Sequence, residues 1–199
     1  MKFNKLISVL LHPMVIPTLG ILLYFVCIPN TIQEPQKLFL LGLIFIASYL
    51  VPLFVLMFLK ALHIIHSFQV HSIKERKIPI ILMILVFYFL ANFLGEFIAL
   101  KDISLLLYAT SFGLIAIYFL FVFKTKTSLH MLSMGIFLGF FLVLSNKYQL
   151  YLILPITVLL LLSGLLASAR LKLKAHTPKE VYLGYFLGIC SQMITYYFL

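Results

Sequence analysis

Apolar residues run along this chain in long unbroken blocks, and polar residues collect in short stretches between them. The blocks fall at about 6–28, 38–59, 79–100, 103–123, 129–145 and 149–167, with a last one ending at Leu199. A hydrocarbon core roughly 30 Å thick is crossed by a helix of ~20 residues, and the blocks are of that order. They are continuously apolar and do not alternate in and out, which argues against a β-barrel. The pattern predicts an all-α protein, a polytopic membrane helical bundle of about seven transmembrane helices. It forms a single integral membrane domain over residues 1–199. The first block holds His12-Pro13 and Pro17, which a membrane helix tolerates when neighbours satisfy the freed carbonyls.

Composition agrees. Of 199 residues, 64% are hydrophobic and 10% charged, and the mean hydropathy is +1.17. Lys2 and Lys5 ahead of an apolar run resemble a signal peptide. The run is too long for one, however, and no small-residue cleavage site follows it. Cys27 and Cys190 both lie in apolar blocks and read as packing residues.

The net charge of +10 is unevenly placed. With seven spans, the N-terminus and the loops at 60–78, 124–130 and 168–180 share one side. That side carries twelve of the fifteen Lys and Arg, leaving Lys37, Lys101 and Lys147 opposite. The excess predicts a cytoplasmic basic face in a multi-pass protein of the cell (inner) membrane. Such a face meets lipid phosphates. No aromatic-basic module of a nucleic-acid binder accompanies it. Gly135-x-x-x-Gly139 and Gly184-x-x-x-Gly188 offer small-residue faces for close helix packing, within the chain or between copies in a homo-oligomer.

Scarcity of acids limits the chemistry. The five are Glu34, Glu75, Glu96, Asp102 and Glu180. No Asp-rich motif is present to hold Mg²⁺ on a diphosphate. Ser191 lacks the Gly-rich setting of an intramembrane serine nucleophile. Glu96 is the one candidate for a proton-coupled carboxylate, and its position puts it near the far interface. His63, His66 and His71 match no ordinary zinc spacing and read as interfacial histidines. What remains is a basic, histidine-bearing face with one well-placed carboxylate. That suits metal-free phosphoryl transfer, with no cofactor, in which one His attacks phosphorus and another protonates the leaving oxygen. His130, His176, Glu180, Arg76 and Arg170 lie on loops of that side.

The segment Arg170, five residues, His176, three residues, Glu180 resembles the third motif of the type 2 phosphatidic acid phosphatases (the PAP2 superfamily), S-R-x5-H-x3-D. Ala169 stands for the Ser and Glu180 for the Asp. T-S-L-H at 127–130 is similar to the second motif, P-S-G-H, through Ser128 and His130. The first motif, K-x6-R-P, is represented only by the cluster Lys74, Arg76, Lys77 and Pro79. The likeness is best over 127–190.

The resemblance implies a PAP2-like core with His176 as the phosphorylated nucleophile, Glu180 as its orienting carboxylate and His130 as the general acid. Arg170, Ser128 and some of Lys74, Arg76 and Lys77 would bind phosphate. The substrate would be a membrane lipid phosphate or diphosphate, handled without a metal. Family members commonly act on the extracytoplasmic side, whereas the charge count puts this face in the cytoplasm, and both stand at this point. Two other functions remain open: a catalytically degenerate relative that binds anionic lipid headgroups or scaffolds partners, and a small transporter component using Glu96 and Asn92.

Overall fold

The computed structural model describes residues 2–68, 70 and 72–199. Among these the secondary structure is entirely helical. The helices are α1 (Lys2–Leu10), α2 (Ile16–Cys27), α3 (Glu34–Phe45), α4 (Val51–Ala61), α5 (Ile73–Gly95), α6 (Lys101–Leu120), α7 (Leu129–Tyr148), α8 (Ile153–Lys172) and α9 (Pro178–Phe198). Among the described residues, five helical segments are long and apolar enough to cross a membrane: Glu34–Ala61, Ile73–Gly95, Ile98–Leu120, Leu129–Tyr148 and Ile153–Lys172.

Prolines account for the departures from uninterrupted spans. The first expected span is two helices, because Pro13 cannot donate its share of the ladder and the chain turns there before α2 begins. The second span keeps going from α3 to α4 through a π-helical turn, Ile46–Leu50. That turn immediately precedes Pro52, whose missing N–H leaves a carbonyl one turn back without its usual donor. The helix also starts earlier than expected, inside the loop at 29–37. A reciprocal cap between Gln33 and Gln36, with Pro35 in the first turn, stops the fraying there.

Helix α7 is the centre of the bundle, buried along most of its length. It packs most extensively on α9, while α5 packs on α6. The glycines on α7 and α9 explain the first pairing. A Cβ on Gly135 would stand 2.1 Å from the Tyr185 carbonyl oxygen, and one on Gly188 would stand 2.3 Å from that of Leu132. The two backbones are therefore in direct contact, and this small-residue face is covered within the chain. Hydroxyls join α6 to α5: Ser104 donates to the Ala91 carbonyl (2.6 Å) and Ser111 to that of Ile84 (3.1 Å). In hydrocarbon such contacts, rather than apolar burial, hold helices together. Outward-facing Phe39, Phe54, Phe89 and Phe119 are each more than 60% exposed, an apolar girdle suited to lipid.

At one end of the bundle Asp102, on α6, is a buried hub. It accepts hydrogen bonds from Lys147 Nζ (2.6 Å), Tyr148 (2.7 Å) and Tyr24 (3.2 Å), tying α2, α6 and α7 together. Glu96 is exposed at the end of α5, and Asn92 accepts a hydrogen bond from Tyr108. His63 and His66 join no group of three potential metal ligands among the described residues, and His71 lies outside those residues.

Candidate active site

The opposite end gathers the polar segments. Thr177 caps α9: its hydroxyl accepts from the Glu180 N–H, while the Glu180 carboxylate accepts from the Thr177 N–H, both at 3.4 Å. Pro178 opens the helix without losing a hydrogen bond. This reciprocal cap points the Glu180 side chain back over the preceding loop. There its Oε2 lies 2.7 Å from His176 Nδ1.

A carboxylate accepts, so His176 donates through Nδ1–H and carries its lone pair on Nε2. The His176 side chain is only 4% exposed. Burial lowers its pKa below the ordinary 6.5, and the nearby Arg170 and Arg76 charges act the same way, outweighing the raising effect of Glu180. The ring is neutral at pH 7 and its Nε2 is available as a base or nucleophile.

Arg170 comes from the last turn of α8 rather than from a loop. Its Nη1 donates to Ser8 Oγ at 2.7 Å. Its Nε is buried with no partner among the described residues. Arg76, in the first turn of α5, donates from Nε to the Val70 carbonyl (2.8 Å) and from Nη1 to that of Thr127 (3.4 Å). Val70 has a φ of +45°, an unusual conformation for a β-branched residue that this contact helps hold. The second and third motif segments are joined directly, since the Ser128 N–H donates to the Glu180 carbonyl at 3.1 Å. The Thr127 and Ser128 hydroxyls are buried and unpartnered among the described residues.

His130 begins α7 and is 9% exposed. Its Nε2 lies 3.2 Å from the Ser8 carbonyl oxygen, an acceptor, so Nε2 bears the proton. A cavity of about 680 Å³ is lined by His176, His130, Arg170 and Arg76. It continues between α5, α6 and α7 past Phe87, Leu114 and Phe137. A second cavity, about 530 Å³, lies on the other side of His176 and is lined by Arg76, Lys126, Lys174 and Glu180.

The residues singled out in the sequence therefore divide. His176, His130, Arg170 and Arg76 share one cavity, with Glu180 behind His176 and Ser128 behind the start of α7. Lys74 and Lys77 are exposed on α5 and line neither cavity. Two cavity-lining residues, Ser8 and His12, were not foreseen. The break at His12-Pro13 was the one sequence signal near them, and nothing in the pattern connected α1 to a segment more than 150 residues away. No protein-family model, no curated protein and no solved structure matches this chain.

Proposed function

We propose that this chain is a multi-pass membrane enzyme of phosphoryl transfer, a metal-independent phosphatase or phosphotransferase for a lipid phosphate or diphosphate. The observation that carries the reading is the 2.7 Å pairing of His176 Nδ1 with Glu180, on a ring lining the cavity that Arg170, Arg76 and His130 also line. Its similarity to the type 2 phosphatidic acid phosphatases, a seven-span core and a cytoplasmic basic face belong to the same proposal.

His176 Nε2 attacks phosphorus and forms a P–N bond. The phosphate dianion drawn in beside His130 favours the charged form of that ring; the P–O bond to the lipid then breaks with its electron pair going to oxygen, which takes a proton from His130. Glu180 stabilises the positive charge that develops on His176. Arg170 and Arg76 neutralise the phosphoryl oxygens. Water then attacks phosphorus, gives a proton back to His130 and frees His176 as inorganic phosphate leaves. In the phosphotransferase case an acceptor hydroxyl takes the place of water. The apolar depth of the cavity receives the hydrocarbon chain. Lys74 and Lys77 attract anionic headgroups from the rim.

A second reading is a headgroup-binding relative without turnover. It is favoured by Ser8, which already partners both Arg170 and His130. One assay separates the two. Purified protein is given phosphatidate, phosphatidylglycerophosphate, undecaprenyl diphosphate and lipid A without metal, beside His176→Ala. Phosphate release that is lost in the variant supports the enzyme. Lipid binding with no release across the panel supports the second reading, and release unchanged in the variant refutes the assignment of His176.

A further inference from the structure

We infer that His12 is a phosphate-binding residue of this site, a neutral imidazole that offers its Nε2–H to a phosphoryl oxygen beside Arg170. The inference rests on the phosphoryl-transfer reading of the cavity, and His12 belongs to none of the motifs that suggested that reading. The ring lines the same cavity as Arg170, His130 and His176. It stands edge-on to His130, with centroids 5.0 Å apart and planes at 81°, and it is close enough to Arg170 for the two to interact electrostatically.

The protonation pattern of His12 follows from its local backbone. The Met14 N–H donates to Nδ1 at 3.3 Å. A backbone N–H can only donate, so Nδ1 accepts and the single ring proton sits on Nε2. An imidazolium would set one donor against another, and the site therefore favours the neutral ring. The His12 carbonyl is pinned as well, accepting from Val15 N–H (2.8 Å) and Ile16 N–H (3.0 Å) as α2 begins. The Met14 carbonyl in turn accepts from Ser48 Oγ at 3.1 Å. Ser48 lies in the π-helical turn, so the irregular second span holds the break in the first. Both helix irregularities thus serve one imidazole, in keeping with the frequent use of π-turns at functional sites.

A neutral donor complements Arg170, one nitrogen of which is already engaged by Ser8, by adding a second fixed direction to the phosphate. A hydrogen bond to an anion is worth about a tenfold change in affinity or more.

The test uses the intact protein in lipid nanodiscs with ¹⁵N-labelled histidine, titrated with inorganic phosphate. The His12 Nε2 resonance is expected to be that of a protonated nitrogen and to move on phosphate addition. His12→Phe, which keeps an aromatic edge against His130, should weaken phosphate binding about tenfold. His12→Gln, whose amide N–H extends toward the Nε2 position, should recover most of that loss. A Phe variant that binds phosphate as tightly as the native protein, while Arg170→Ala does not, overturns the inference and leaves the site reading standing. Native protein that binds no phosphate at all overturns both. The resonance shift needs no variant, so a poorly folded substitution does not remove the test.

Discussion

Gly184 is the residue through which packing and chemistry are most tightly joined. It sits one turn beyond Glu180 on α9, against the start of α7. A Cβ added there would lie 2.6 Å from the Ser128 carbonyl oxygen and 3.3 Å from its nitrogen, where ordinary contact begins at 3.4 Å. Both obstacles are backbone, so neither can rotate away, and Gly184→Ala must push α9 off α7 by most of an ångström. Overpacking of this kind costs about 1–3 kcal/mol, offset by up to about 1 kcal/mol from the better helix propensity of alanine. At this chain length each kcal/mol moves the melting temperature by roughly 2–4 °C, so a fall of several degrees is expected in detergent.

The effect on turnover should be larger than the effect on stability. The displaced segment carries the Ser128–Glu180 backbone bond and the carboxylate that holds His176, and a misplacement near 1 Å costs about a hundredfold in rate. Gly164→Ala is the control, because a Cβ there meets nothing within 4 Å and should leave stability equal or slightly raised. Thermal unfolding and phosphate release are measured on both variants. If Gly184→Ala melts with Gly164→Ala and retains full turnover, the close α7–α9 contact does not set the position of Glu180.

Glu180→Gln keeps the shape but removes the negative charge that stabilises a charged His176, and phosphate release should fall by about 10²–10⁴-fold. Glu180→Asp should retain activity only if α9 can move toward His176, and steady-state kinetics of the pair will show it. Activity should decline on acidification below pH 6.5, because protonation occupies the His176 lone pair; a pH–rate profile checks this. The stability linkage has the same direction. The folded-state pKa of His176 is depressed, so its contribution is present above 6.5 and is lost as pH falls through the lower folded value. At the other end of the bundle, Asp102→Ala strands Lys147 and two tyrosine hydroxyls, and should destabilise by about 3 kcal/mol without directly changing the site. Unfolding beside residual turnover separates these effects.

The helical class was legible because each apolar block carries its own instruction: in lipid, a backbone without water must satisfy itself along the helix. The start of α9 is set locally too, since Thr177, Pro178 and Glu180 act on neighbours within one turn. The same locality placed Glu180 next to His176, which lies four residues earlier in the loop that leads into α9. The breaks were harder to place. Pro13 and Pro52 were visible, yet one produced a turn between two helices and the other a π-helical turn. The choice depended on partners such as Ser48 and Met14, 34 residues apart.

By itself, then, the sequence determined the helices, the clustering of basic groups on one side and the His176–Glu180 pair, all set by short-range periodicity, charge and spacing. Tertiary structure decided which groups meet. Ser8 reached Arg170 across 162 positions, His12 came to face His130, and Asp102 became a buried hub. Lys74 and Lys77 stayed outside the cavities, although they share a helical turn with Arg76, which lines both. These outcomes depend on how closely α7 and α9 approach and on which face of α1 meets α8. Long-range packing sets such distances, and no local spacing in the chain encodes them.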